Sequence, residues 1–167
     1  MINSAKSVML IWLLITAAFG QTVHRSFSFD ASVAHNDFKI GSPIVIEVQL
    51  KNISDHDIMR GSIAGYEDRP EVLGFRPVLR DDQGKEPPLT NWGRRVFGRP
   101  LPGEPSLTLN AVGLIAVHPG EVFRSEIKLN DLYDLTAPGK YTVHVTHYDT
   151  DNKELVSSKP ITFTISK

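Results

Sequence analysis

The chain has 167 residues, with 18 Lys and Arg against 19 Asp and Glu, a formal net charge of −1 and no cysteine. That balance gives no general field for nucleic acid or an anionic membrane surface. The missing cysteines exclude disulfides and a thiol nucleophile, so burial alone must hold the fold.

Residues 1–20 read as a secretory signal peptide. Lys6 supplies the positive start and VMLIWLLITAAF at 8–19 the apolar run. Ala18-Phe19-Gly20 then places small residues where cleavage after Gly20 requires them. The run is shorter than the roughly 20 apolar residues of a membrane span; an uncleaved anchor is the alternative. No Cys follows it, which excludes a lipoprotein anchor. The expectation is a single domain over 21–167, exported to the periplasm or the exterior, with no membrane span after cleavage.

Alternation with period two then dominates, the mark of half-buried antiparallel strands. Phe27 and Phe29 suggest a first strand near 25–30. In PIVIEVQLK, residues 43–51, Ile44, Ile46, Val48 and Leu50 face one way and Val45, Glu47, Gln49 and Lys51 the other. Asn52-Ile53-Ser54 is an N-glycosylation sequon, meaningful only in a host with that machinery. Phe75 and Leu79 mark a strand at about 73–80. Residues 85–106 carry Pro87, Pro88, Pro100, Pro102 and Pro105 and read as a stiff, unpaired surface connection. LTLNAV at 107–112 suggests a strand near 107–115.

In EVFRSEIKL, 121–129, Phe123, Ile127 and Leu129 line one face. NDLYDL at 130–135 is long enough for one helical turn, and no segment of the mature chain has a sustained helical period. Over 140–148 the inward set is Tyr141, Val143 and Val145, opposite Thr142, His144 and Thr146. Ile161, Phe163 and Ile165 repeat the pattern within 155–166. Turns at Asp82-Gln83-Gly84, His118-Pro119-Gly120, Ala137-Pro138-Gly139 and Asp151-Asn152 separate the strands. Seven or eight short strands so divided predict an all-β antiparallel sandwich.

Pro138-Gly139-Lys140-Tyr141, ahead of the strongest strand, resembles the corner of immunoglobulin-like domains where a Tyr returns its hydroxyl to the preceding turn. Tyr141 would have that role, with Val143 where a disulfide Cys often stands. From residue 43 onward the order of features is similar to the bacterial intracellular proteinase inhibitor family and related secreted immunoglobulin-like domains. The carrying residues are Leu50-Lys51-Asn52 with Ser54-Asp55, Phe75 to Gly84, Trp92, Pro119-Gly120-Glu121 and Pro138 to Tyr141. The resemblance implies a non-enzymatic immunoglobulin-like sandwich that binds another protein, a proteinase being one candidate. The chain departs from the family in its export signal and its longer 85–106 segment, and no inhibitory residue is carried over.

Within that segment Trp92, Arg94, Arg95, Phe97 and Arg99 form the most contact-prone patch, because Trp and Arg are enriched at binding hot spots. The competing reading folds Trp92 and Phe97 back over an open end of the core, leaving the arginines solvated or paired with Glu104 and Asp81. Single-stranded nucleic acid, which also takes Arg and aromatics, fits poorly with the acidic remainder.

A metal-binding envelope protein is the second reading. Loops at one end of such a sandwich would gather Asp55, His56, Asp57, His118, Glu121, Asp149 and Asp151 near His147. His56, His118, His147 and Asp149 are the candidate ligands, a set suited to Zn²⁺ or Cu²⁺. No G-x-S-x-G and no Gly-rich phosphate loop occurs, so neither an enzyme nor a cofactor is expected. A structural envelope component that pairs through edge strands is a third reading.

Overall fold

The computed structural model describes residues 25–61, 74–103 and 114–167. These fold into β1 (Phe27–Val33), β2 (Asp37–Lys39), β3 (Val45–Asn52), β4 (Ile58–Gly61), β5 (Arg76–Asp81), α1 (Asn91–Val96), β6 (Leu114–Val117), β7 (Val122–Lys128), α2 (Leu129–Leu132), β8 (Gly139–Asp149), β9 (Glu154–Ser157) and β10 (Ile161–Ser166). The described residues are all-β apart from two short helices. Among the described residues, no helix is long and apolar enough to cross a membrane.

Three sheets result. The first has the order β1-β3-β7 and is antiparallel throughout, with Phe29 opposite Leu50 and Leu50 opposite Phe123. The second has the order β2-β10-β8-β5, antiparallel except for the parallel pairing of β2 with β10. In it β9 pairs with the far half of β8. The third is the two-stranded ribbon β4-β6, in which Ile58 faces Val117.

The alternation in β3 explains why the two larger sheets meet. Ile46, Val48 and Leu50 are fully buried, while Glu47, Gln49 and Lys51 stay exposed. Leu79, Val143, Val145, Phe163 and Ile165 of the second sheet join them in one hydrophobic cluster. Burial of such side chains supplies on the order of 1.5–3 kcal/mol each, enough for a chain with no crosslinks.

Several details depart from expectation. The last strand is split into β9 and β10 at residues 158–160, where Ser158 accepts the Val145 N–H through its hydroxyl at 3.0 Å and gives its own N–H to the Val145 carbonyl at 2.8 Å. Thr146, expected to face outward, is buried because β5 and β9 flank it and its hydroxyl donates to the Arg76 carbonyl. The strand expected near 107–115 lies outside the described residues up to 113; Leu114–Val117 is β6, paired with β4 rather than with a core sheet.

The 85–103 stretch is more ordered than its prolines suggest. Leu89 bridges to Tyr133, and Asn91–Val96 is helical. Thr90 caps the helix by accepting the Gly93 N–H at 2.9 Å. The far end closes with Arg99 N–H on the Arg94 carbonyl and Gly98 N–H on the Arg95 carbonyl. That pattern needs a left-handed residue, which Gly98 supplies at φ 70°. The helix docks on α2 through Gly93, whose absent Cβ would stand 1.9 Å from the Leu132 carbonyl oxygen. Only glycine permits that approach.

Candidate functional site

Docking of α1 divides the residues that the sequence groups as one patch. Phe97 is 1% exposed and its ring lies 5.8 Å from that of Tyr133, with the Arg76 guanidinium 5.2 Å over its face. It is a core residue rather than a contact residue: with Val96 it is the apolar side that holds the short helix down. Trp92 stands on the other side, 49% exposed. Arg95 approaches the indole at 6.0 Å, and its Nε is enclosed with no hydrogen-bond partner among the described residues. Arg94 donates to the Asn91 side chain at 2.7 Å and to the Leu89 carbonyl. Arg99 pairs with Glu86 at 2.8 Å, and Arg80 reaches the same carboxylate at 4.0 Å.

Trp92 forms one wall of a cavity of about 180 Å³ whose other sides include Ile127 and Lys128 of β7, Asp131 of α2, Phe75 and Arg60. Arg60 is buried, with its guanidinium 3.6 Å from the Phe123 ring centre and 4.7 Å from that of Phe75. Burial lowers its pKa to about 10, so it remains a cation.

Tyr133 is what the sequence hides. Its hydroxyl donates to the Pro77 carbonyl at 2.9 Å, and burial pushes its pKa up to about 12. Through that bond α2 and the α1 segment cover β5, whose Pro77 cannot donate to a further strand. At the neighbouring corner the Tyr141 hydroxyl donates to the Ala137 carbonyl at 2.8 Å, and its ring stacks on Phe163.

At the opposite end of β8 the predicted loops do meet, but as ion pairs. His56 lies between two carboxylates, Nδ1 at 3.0 Å from Asp55 and Nε2 at 2.9 Å from Asp151. Those hydrogen bonds, Asp55 first, raise its pKa. His118 is turned to Asp57 at 2.8 Å, which raises its pKa, while its backbone N–H donates to Glu121. The Ser26 hydroxyl lies 2.6 Å from Asp151 and 3.0 Å from Asp149, both acceptors, rather than against an imidazole. The order Ser-Asp-His therefore lacks the base beside the hydroxyl that a nucleophilic serine needs.

His147 and Asp149 lie inside. His147 is 4% exposed, packed against Phe27 and Phe75 at 5.2 and 5.0 Å and bonded to the Gly74 carbonyl at 3.3 Å. Burial lowers its pKa to about 4, so it is neutral over the physiological range. Burial works against the Asp149 charge, but the Asn152 amide and the Ser26 groups outweigh it and hold that carboxyl below its ordinary range. The expected ligand set His56, His118, His147 and Asp149 is therefore not brought together around a common point among the described residues. Both His56 nitrogens are engaged by carboxylates, and His147 is enclosed by rings. Among the described residues no three His, Asp or Glu side chains converge as a metal ion would require.

The residue that organises this end is Asn52. It is fully buried; its amide donates to the His56 and Val117 carbonyls, both at 2.7 Å, and its oxygen accepts from the Ser54 N–H and hydroxyl. It thereby links the β3–β4 loop to β6.

No family profile and no curated protein matches the chain. Among solved structures it is similar to the β-glucosidase of Listeria innocua in complex with isofagomine, with a TM-score of 0.45 and 16% identity over 86% of this chain and 16% of that chain. A β-glucosidase from Erythrobacter marinus gives a TM-score of 0.45 and 14% identity, over 85% and 16%. The chain spans only that small share of those enzymes, and likenesses of this size carry no argument about activity.

Proposed function

We propose that the protein is an exported, non-catalytic binding module with an immunoglobulin-like sandwich, and that it recognises another protein through the α1 surface. Three features support the fold reading. An N-terminal strand divides between sheets as β1 and β2, with β2 parallel to the last strand. The central pairs β3–β7 and β5–β8 lie in separate sheets. The Tyr141 hydroxyl closes the corner ahead of β8. Export rests on the signal-peptide pattern of residues 1–20.

The observation that carries the binding reading is the exposed Trp92 indole on a helix docked closely against the Leu132 backbone through Gly93. A large aromatic on a rigid mount loses little entropy on contact, and Trp is the residue most often found at the centre of an interface. Arg95 beside it and Lys128 across the cavity supply cations for acidic groups of the partner.

A photo-crosslinking residue placed at position 92 in cells should yield a discrete protein adduct, and the same residue at Glu47 on the exposed face of β3 should not. Trp92→Ala should weaken binding of the identified partner by roughly thirtyfold or more. Equal crosslinking at both positions, or none at 92, would reject this surface.

A further inference from the structure

Three chain segments far apart in sequence close on His56. It belongs to the 53–57 loop between β3 and β4; Asp151 lies in the turn between β8 and β9; and Ser26, which touches Asp151 and Asp149, precedes β1. The other charged groups there are Asp55 on the same loop, Lys153 in the turn, Arg25 paired with Glu154 at 3.7 Å, and the Asp57–His118–Glu121 group on the adjacent turn.

The chemistry of an imidazole between two carboxylates is restrictive. Ionised carboxylates only accept, and a neutral imidazole has one N–H. Both His56 contacts, at 3.0 and 2.9 Å, therefore hold together only while the ring is doubly protonated. Losing that proton leaves one donor for two acceptors: one contact then sets a ring nitrogen lone pair against a carboxylate oxygen, and the surviving bond to an ionised carboxylate no longer has a cationic donor. It also returns uncompensated negative charge to a turn already holding Asp149 and Asp151.

We propose that this end of the molecule is a proton-operated latch: as an imidazolium, His56 closes the 53–57 loop onto the β8–β9 turn, and release of the proton loosens that closure. The raised pKa of His56 agrees in sign, since the folded arrangement favours the charged ring. The closure is fully present below the ordinary imidazole value near 6.5 and fades as pH rises through the higher value of the folded state.

The test uses the full chain with a chelator present. Amide exchange at Ser54, Asp151 and Asn152, whose N–H groups donate to Asn52 and Asp149 within this region, is measured between about pH 5 and pH 8, corrected for intrinsic rates. Protection should fall about two- to fivefold across the His56 titration, the size of one exposed ion pair. The step should vanish in His56→Gln, shrink in Asp151→Asn and persist in His118→Gln. A flat wild-type profile, a step surviving in His56→Gln, an undiminished step in Asp151→Asn or its loss in His118→Gln would each overturn the latch.

Discussion

Where β7 runs into α2, the closing groups are mainly apolar: Phe97, Tyr133, Leu129 and Leu132 are buried, and the hydrogen bonds beside them join uncharged groups, the Tyr133 hydroxyl to the Pro77 carbonyl, the Thr90 hydroxyl to the Asp131 carbonyl and the Asn130 amide to the Ser42 carbonyl. Where β8 runs into β9, the closing groups are Asn52, His56, Asp151 and Ser26, with His56 about half exposed. The first end depends on packed area, which varies slowly with pH and salt. The second depends on charge and proton count, which vary quickly with both. One all-β fold therefore has an end closed mainly by packing, where Trp92 is exposed, and an end closed mainly by polar and charged groups.

The largest expected effect falls on the packed end. Phe97→Ala should cost about 3–5 kcal/mol in urea denaturation, because the ring fills a closed site between Tyr133 and Arg76. Amide protection at Asp151 and Asn152 should not change; if it does, the two ends are not independent.

A second effect crosses the boundary between them. His147 is an ionisable group placed in the packed interior, with a folded pKa of about 4 against an ordinary 6.5. The unfolded chain binds the extra proton first, so stability is full above 6.5 and falls as pH drops toward 4. The loss should reach about 3 kcal/mol. His147→Phe should abolish this acid sensitivity, as measured by denaturation at pH 7 and near pH 4. His56 and His118 run the other way: their raised values contribute stability at low pH that is lost on going alkaline.

The smallest of the three tests the polar end. Asn52→Ala should cost about 2 kcal/mol by removing the donor to the buried Val117 carbonyl and one of the two donors to the His56 carbonyl. It should raise exchange at Ser54 while the near-UV signal of Trp92 is unchanged.

The inward faces of β3, β8 and β10 were legible because burial on one side imprints a period of two. The meeting of the 55–57, 118–121 and 149–151 loops was legible too, since turn residues mark strand ends. What those loops do on meeting was not, because spacing says nothing about which ring nitrogen finds which carboxylate. The α1 helix was missed for a physical reason. Six residues carry less than two turns of periodicity, and Gly93 lowers helix propensity while enabling the docking that makes the helix form. Thr90 and Gly98, bracketing it as N-cap and left-handed terminator, were the available signal. Phe97 and Trp92 look alike in the sequence, and only tertiary packing sends one in and leaves the other out.

The Asn52-Ile53-Ser54 sequon acquires a meaning from Asn52. In the folded domain both protons of its amide nitrogen are committed to backbone carbonyls, and none of the side chain meets solvent. An oligosaccharyltransferase could reach that nitrogen only before β3 and β6 come together. In a eukaryotic expression host, glycan occupancy at this asparagine would serve as a clock for how long the nascent chain stays open, and glycosylated molecules would be those trapped outside the native fold.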